Sequence, residues 1–257
     1  EALGSREMQT LFADLGFLDR PDVPLPETAS PLMPYPWRNI NTLTASYGHG
    51  VAVTPLHFTS AAASIVNDGI YVPPSILKNQ SKDSPDLAYR IISGPASEKI
   101  AKLLRLTVTH GTGSLANVPG YLVGGKTGTA EKASAGGYDR KKLISSFVGV
   151  FPVTDPEYAV FIMVDEPVGL PETFGYATGG WVAAPVVGRV ISGLGRLYGI
   201  ESYKNKKKFL DRNLQNLVRT QKELEDGADL PGERLFQIPP LTTPHDRSTP
   251  ETTKISY

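Results

Sequence analysis

The sequence predicts an α/β fold of the α+β kind, an antiparallel sheet flanked by helices. Three observations carry this. Two apolar runs, Ile144 to Phe151 and Tyr158 to Glu166, read as strands, and the short linker Thr154-Asp155-Pro156-Glu157 between them suits an antiparallel hairpin. A third extended segment runs through Gly124-Gly125-Lys126-Thr127-Gly128-Thr129-Ala130-Glu131-Lys132. Within 182–197, Val186, Val187, Val190, Ile191, Leu194 and Leu197 form a helical stripe wide enough to cover a sheet.

The elements follow in order. Met8, Leu11, Phe12 and Leu15 recur at helical spacing, which predicts a short helix over 5–18. Six prolines between 19 and 38 mark a loop. Thr54 is a good N-cap and Pro55 a good first helical residue, so a helix over 55–67 follows and stops at Asn67-Asp68-Gly69. Ile70 to Leu77 reads as extended, broken by Pro73-Pro74, and 78–88 as a polar loop. A helix over 95–110 carries Ile100, Leu103, Leu104 and Val108 on one face and ends before Gly111. His110-Gly111-Thr112-Gly113 is a turn, and 133–142, with Gly136-Gly137, a polar loop. The run Tyr158 to Val164 is apolar without alternation, which predicts a strand buried on both faces and therefore central. The helix over 182–197 ends at Gly199.

Composition bounds the function. The 257 residues can bury a full core as one large domain or two small ones. With 26 Lys+Arg against 26 Asp+Glu there is no electrostatic reason to expect nucleic acid or an anionic membrane as partner. The absence of Cys excludes disulfides, thiolate nucleophiles and Cys-based metal sites. His49, His57, His110 and His245 lack metal-ligand spacing with carboxylates, so no metal and no cofactor is expected. No run of about 18 apolar residues occurs. Glu1 and Glu7 stand where a signal peptide would be basic, and the chain is expected to open inside a domain. After about 202 the composition changes. Residues 204–226 are charged with a narrow leucine stripe, and the remainder from Gly227 is rich in Pro, Thr and charge, an extension expected to be disordered or loosely docked.

Chemistry concentrates at Lys126. Glycines there let a ligand approach the backbone, the Thr hydroxyls and backbone N–H groups can donate to a carboxylate or oxyanion, and Lys126 supplies charge. Gly120 to Thr127 also fits the P-loop pattern letter for letter. A P-loop needs a compact loop and then a helix, whereas Tyr121-Leu122-Val123 prefers a strand and Gly128-Thr129 stands where the helix should begin. The other reading is Lys-Thr-Gly, a signature of serine β-lactamases and penicillin-binding proteins. The candidate charges elsewhere read blandly. Glu131 and Lys132 are rim charges, Asp165-Glu166 is either a buried pair or a turn to solvent, and Lys204 to Lys208 is a solvated face.

Taken in order and spacing, the landmarks resemble the C-terminal part of the transpeptidase domain of class B penicillin-binding proteins, most closely the division-specific, septal kind. They are Tyr47-Gly48-His49-Gly50-Val51-Ala52-Val53-Thr54-Pro55-Leu56, Asn67-Asp68-Gly69-Ile70-Tyr71, Gly111-Thr112-Gly113, Lys126-Thr127-Gly128-Thr129-Ala130, and Gly179-Gly180-Trp181-Val182-Ala183-Ala184-Pro185. The resemblance implies a partial transpeptidase domain over 1–200 with a 201–257 extension, and a penicillin-binding/β-lactamase-like fold whose N-terminal part is missing. His57 departs from the glutamine usual at that position.

The resemblance further implies peptidoglycan D,D-transpeptidation. A Ser attacks the penultimate D-Ala carbonyl of a stem peptide, the acyl group passes to an amine on a neighbouring stem, and β-lactams trap the same Ser. By motif match, Lys126 supplies charge and joins the proton network, while Thr127 and Thr129 hold the donor's carboxylate. Thr129 N–H forms half of the oxyanion hole, and Gly128 keeps the strand open. Implied partners are peptidoglycan stem peptides, β-lactams, and other division and cell-wall synthesis proteins, on the periplasmic face of the bacterial inner membrane. The nucleophile is expected outside this chain. Ser75-Ile76-Leu77-Lys78 is the only Ser-x-x-Lys, it follows Pro73-Pro74 in an extended segment where i and i+3 face opposite ways, and no Ser-x-Asn occurs. A non-catalytic scaffold is the competing expectation, weakened by the intact Lys126-Thr127-Gly128-Thr129.

Overall fold

The computed structural model describes residues 4–77, 87–134, 137–200 and 202. All of them lie in the compact unit Glu1–Leu214. Lys78, most of the 78–88 loop and the charged segment from 204 onward lie outside the described residues.

Helix α1, Ser5–Asp14, buries Met8 and Phe12, with Leu15 just beyond its end. It stops short of residue 18 because Gly16 takes φ +73°, a left-handed geometry that closes a helix. A second helix, α2, Asn39–Ala45, had no apolar period to announce it. Its start is held by Asn41 Oδ1 accepting from Arg38 N–H at 2.8 Å. Helix α3, Pro55–Val66, begins where expected, with Thr54 Oγ1 accepting from His57 N–H at 3.3 Å. His57 is buried, its Nε2 lying 2.9 Å from Asp19 C=O and its Nδ1 3.0 Å from Thr54 Oγ1, so the ring staples the Pro-rich loop to the helix start.

Two short strands, β1 (Ile70–Tyr71) and β2 (Tyr89–Arg90), pair antiparallel. Only two residues of the extended 70–77 segment enter a ladder. Helix α4, Gly94–His110, is capped by Ser93 Oγ accepting from Ala96 N–H at 3.4 Å. Its inward face differs from the expected one. Leu103 is 58% exposed, whereas Ser97, Arg105 and Val108 are buried. Arg105 fastens the helix to the start of the next strand, Nη1 donating to Val123 C=O at 2.8 Å and to Asn117 Oδ1 at 3.1 Å. A 3-10 turn, Ser114–Ala116, follows.

The main sheet has three antiparallel strands, β3 (Gly124–Ser134), β4 (Gly137–Phe151) and β5 (Tyr158–Asp165), in the order β3-β4-β5. Two expectations are corrected. Within the polar segment 133–142, residues 133–134 and 137–142 are strand and not loop, with Ala133↔Tyr138 and Lys132↔Asp139 in register beyond a bulge at Glu131/Lys132. Pairing, not burial, makes those residues extended, so composition did not show it. And among the described residues β5 stands at the edge of this sheet, because β4 lies between it and β3, and it is only partly buried, with Met163 48% exposed. The apolar run of β5 arises from helices on both faces: Val160 and Ile162 face one core cluster, and Phe161 meets Phe58 of α3 with ring centroids 5.1 Å apart. Periodicity reports how many faces are covered, not where a strand stands in the sheet.

Helices α5 (Gly179–Val182) and α6 (Ala184–Leu197) complete the fold. The stripe on α6 is narrower than expected: Val187 and Ile191 are buried, and Val190 and Leu197 are exposed. The helix ends at Tyr198, before Gly199 at φ +64°. The main core joins Phe147, Phe151, Val187, Ile191 and Val108 between the sheet and α6. A second cluster of Val66, Leu122, Val150 and Val153, with Ala101 and Leu104 of α4 against it, holds α3 and α4 to the opposite face.

Candidate active site

The phase of the β ladder decides what Lys126-Thr127-Gly128-Thr129 presents. Glu166 N–H donates to Leu143 C=O at 2.8 Å, one step beyond the Ile144↔Asp165 pair. In an antiparallel ladder each residue turns both main-chain groups to one side, alternately. Odd-numbered residues of β4 therefore bond to β5, and even-numbered ones to β3. Their partners Lys126 and Gly128 use their main-chain groups inside the sheet, opposite Val148 and Ser146. Thr127 and Thr129 turn theirs outward. Among the described residues β3 has no second neighbour, so this is a free edge.

Side chains divide by the same alternation. Thr127, opposite the buried Phe147, points to the α6 face, and Lys126 to the α3 face. Lys126 is exposed and curls back to the edge, its Nζ donating to Thr127 C=O at 2.9 Å. Thr127 Oγ1 lies 2.9 Å from Thr112 Oγ1, in the turn after α4. Thr129 Oγ1 accepts from Gly179 N–H at 3.1 Å, at the start of α5. The structure thus brings Lys126, Thr127 and Thr129 to one edge with their donors outward. Gly128 lies flat between them, and a Cβ there would lie 2.5 Å from Ser146 Oγ. Thr112, Gly179 and Gly180 had appeared only as landmarks. Their contacts join positions 15 and 50 residues apart, which no local pattern reveals.

The glycines of the Gly179-Gly180 pair are required by close approach. A Cβ on Gly179 would lie 2.2 Å from Ser146 C=O and 2.5 Å from Gly128 C=O, and one on Gly180 2.4 Å from Thr112 C=O. All three are backbone atoms that cannot rotate away. Gly179→Ala must lift α5 from the sheet and break the bond to Thr129. Overpacking of this kind typically costs about 1–3 kcal/mol, expected as a clear drop in thermal midpoint. An unchanged midpoint would show that α5 has slack.

Beyond Ala130 the Lys126 face opens into a groove of about 640 Å³ walled by Gly48 to Pro55, Phe58, Tyr138 and Ser146. His49 meets Tyr138 edge-on at 5.3 Å and Tyr47 at 5.5 Å, tying the Tyr47-Gly48-His49-Gly50 loop to the β3–β4 hairpin. Lys132 is a rim charge, as expected, and forks to Glu166 at 2.9 Å and Asp165 at 3.0 Å across β4. The hydrogen bonds its ammonium donates to Glu166 and then Asp165 hold it above the ordinary lysine range. Any stability from this pairing is therefore present at neutral pH and is lost as pH rises through that raised value. Asp165 and Glu166 are neither a buried pair nor merely solvated. Another cavity, about 490 Å³ beside Ser97, Ala101 and Leu122, sits at the opposite end of β3, away from Lys126. Ser75 Oγ accepts from Leu77 N–H at 3.1 Å, a local turn contact in an exposed segment. The P-loop reading fails, because β3 continues through Thr127 to Ser134 with no helix behind it.

A helix-flanked antiparallel sheet with Lys-Thr-Gly-Thr along one edge has the form of the penicillin-binding-protein fold class. The chain belongs to the penicillin-binding protein transpeptidase domain family, whose description matches residues 1–192. It is 36% identical over 210 residues to the probable peptidoglycan D,D-transpeptidase FtsI of Caulobacter vibrioides, covering 78% of this chain and 36% of that protein. It is 34% identical over 217 residues to stage V sporulation protein D of Bacillus subtilis, covering 80% and 33%. The transpeptidase domain of Burkholderia pseudomallei penicillin-binding protein 3 superposes with a TM-score of 0.70 at 34% identity, covering 78% of this chain and 60% of that one. Penicillin-binding protein 3 of Mycobacterium tuberculosis, solved with aztreonam, gives 0.68 at 26% identity, covering 77% and 48%. The chain spans about a third of the length of these two sequence relatives.

Proposed function

We propose that this chain forms the ligand-gripping wall of a serine-type peptidoglycan D,D-transpeptidase acting in septal cell-wall synthesis outside the cytoplasm. The observation that carries the reading is the convergence of Lys126 Nζ, the Thr127 and Thr129 hydroxyls and the outward Thr129 N–H on one free strand edge. In this reading the edge takes the carboxylate of a stem peptide ending in D-Ala, or of a β-lactam, with Lys126 supplying charge and a place in the proton network. Thr129 N–H stabilises the oxyanion formed when a serine attacks the carbonyl. One such donor typically lowers the barrier by about 3–4 kcal/mol. The acyl group then passes to an amine of a neighbouring stem. Residues 1–200 act as part of the transpeptidase domain and 201–257 as an extension from it, with other cell-wall synthesis proteins as partners. The attacking serine belongs to residues other than these; Ser75 stands in an exposed segment after Pro73-Pro74, where its Oγ accepts from Leu77 N–H at 3.1 Å.

The 257-residue chain alone is expected to form no covalent adduct with a fluorescent penicillin. A labelled band on a denaturing gel that disappears in Ser75→Ala would overturn the assignment of the nucleophile.

A further inference from the structure

We infer that Thr112 is a positioning residue, one that forces the Thr127 hydroxyl to act as a donor toward the ligand. The inference rests on the proposed grip of a carboxylate by this edge. A carboxylate only accepts hydrogen bonds, so each hydroxyl that holds it must commit its single proton outward. The two threonines are arranged for this by different means. Thr129 Oγ1 already receives the N–H of Gly179 at 3.1 Å, a group that can only donate, which leaves its own proton for the ligand. Thr127 Oγ1 faces another hydroxyl, Thr112 Oγ1, at 2.9 Å. Between two hydroxyls either can donate, and if Thr127 did so it would have nothing to offer a carboxylate.

The surroundings of Thr112 leave its proton available to Thr127. Among the described residues its hydroxyl has Thr127 as its only hydrogen-bond partner, so its proton is free to go there. The turn that carries it is held from three sides. Gly113 N–H donates to Thr107 C=O at 3.0 Å, and a Cβ on Gly113 would lie 2.9 Å from the Phe147 ring. Thr112 C=O approaches Gly180 so closely that only glycine fits there. The hydroxyl is thus placed by packing and does not wander in search of a partner. With Thr112 donating to Thr127 and Gly179 to Thr129, the edge shows a ligand two hydroxyl protons, the outward N–H groups of Thr127 and Thr129, and one ammonium. Those convergent donors select an anion over a neutral ester or amide.

The test uses the complete penicillin-binding protein that carries this chain and two probes, benzylpenicillin and its methyl ester. Thr112→Val keeps the shape and removes the proton. It is expected to slow acylation by benzylpenicillin about fivefold, with the methyl ester changed less than about twofold, and Thr112→Ser restores the rate. Thr112→Val combined with Thr127→Val is expected to be no slower than Thr127→Val alone, since both act through one bond. Thr112→Ala repeats the measurement should valine disturb folding. Unchanged acylation by benzylpenicillin, or an equal loss with the ester, overturns the role given to Thr112. A wild-type protein acylated by neither probe overturns instead the transpeptidase reading on which it rests.

Discussion

Phe147→Ala is expected to lower the unfolding free energy by about 3–5 kcal/mol, the usual cost of emptying a core of an aromatic ring. Phe147 is fully buried, in the cluster that joins β4 to Val187 and Ile191 of α6. Its ring also lies directly under the binding edge. A Cβ on Gly125 would come within 2.5 Å of it, and one on Gly113 within 2.9 Å, so two backbones rest on one ring. The neighbours cannot collapse into the space without moving β3 or the Thr112 turn, which places the cost toward the upper end. The measurement is the midpoint of urea unfolding at constant slope. Phe147→Leu keeps apolar contact and is expected to cost far less, about 1 kcal/mol. A loss below about 1 kcal/mol for Phe147→Ala would mean that the floor of the site can repack.

That floor shows what could and could not be read along the chain. Local chemistry was legible. Thr54-Pro55 announced a helix start, the Asn67-Asp68-Gly69 stop ends at two left-handed residues, and Lys126-Thr127-Gly128-Thr129 stands on a strand at a sheet edge. What periodicity could not supply was neighbourhood. The run Tyr158 to Val164 is apolar because helices cover both its faces, and the same pattern would arise at the centre or the edge of a sheet. Residues 131–134 and 137–139 of the hairpin are mostly polar or small yet extended, because their ladder and the Lys132 fork to Asp165 and Glu166 hold them. Leu103 fits the helical spacing of α4 but faces out, while the charged Arg105 turns in to bond Val123 C=O. Thr112 and Gly179 carried no sign of their role, since each acts on a threonine distant in the chain. Short-range rules place residues on elements, but the site is made by contacts between elements.

Lys126→Ala, in the complete penicillin-binding protein carrying this chain, is expected to slow acylation by benzylpenicillin about a thousandfold. Two effects contribute, each commonly worth a hundredfold or more, and because both act through one ammonium they do not multiply in full: loss of charge at the developing anion and loss of a proton-network member. In the proposed reading Lys126 is the cation that serves both. It is exposed, on the strand that carries the outward Thr129 N–H, and its ammonium already reaches the edge at Thr127 C=O. Lys126→Arg is expected to rescue little, because a rigid guanidinium fork neither gives up its proton nor fits where a point charge curls over a strand. Lys132→Ala is the control. It removes a cation from the same strand, but one committed to Glu166 and Asp165 at the hairpin, and acylation is expected to stay within about threefold. If Lys126→Ala kept a tenth of the wild-type rate, or if Lys132→Ala fell as far, the cation at the strand edge would not be the group that drives acylation, and the proposed grip would have to be sought elsewhere along β3.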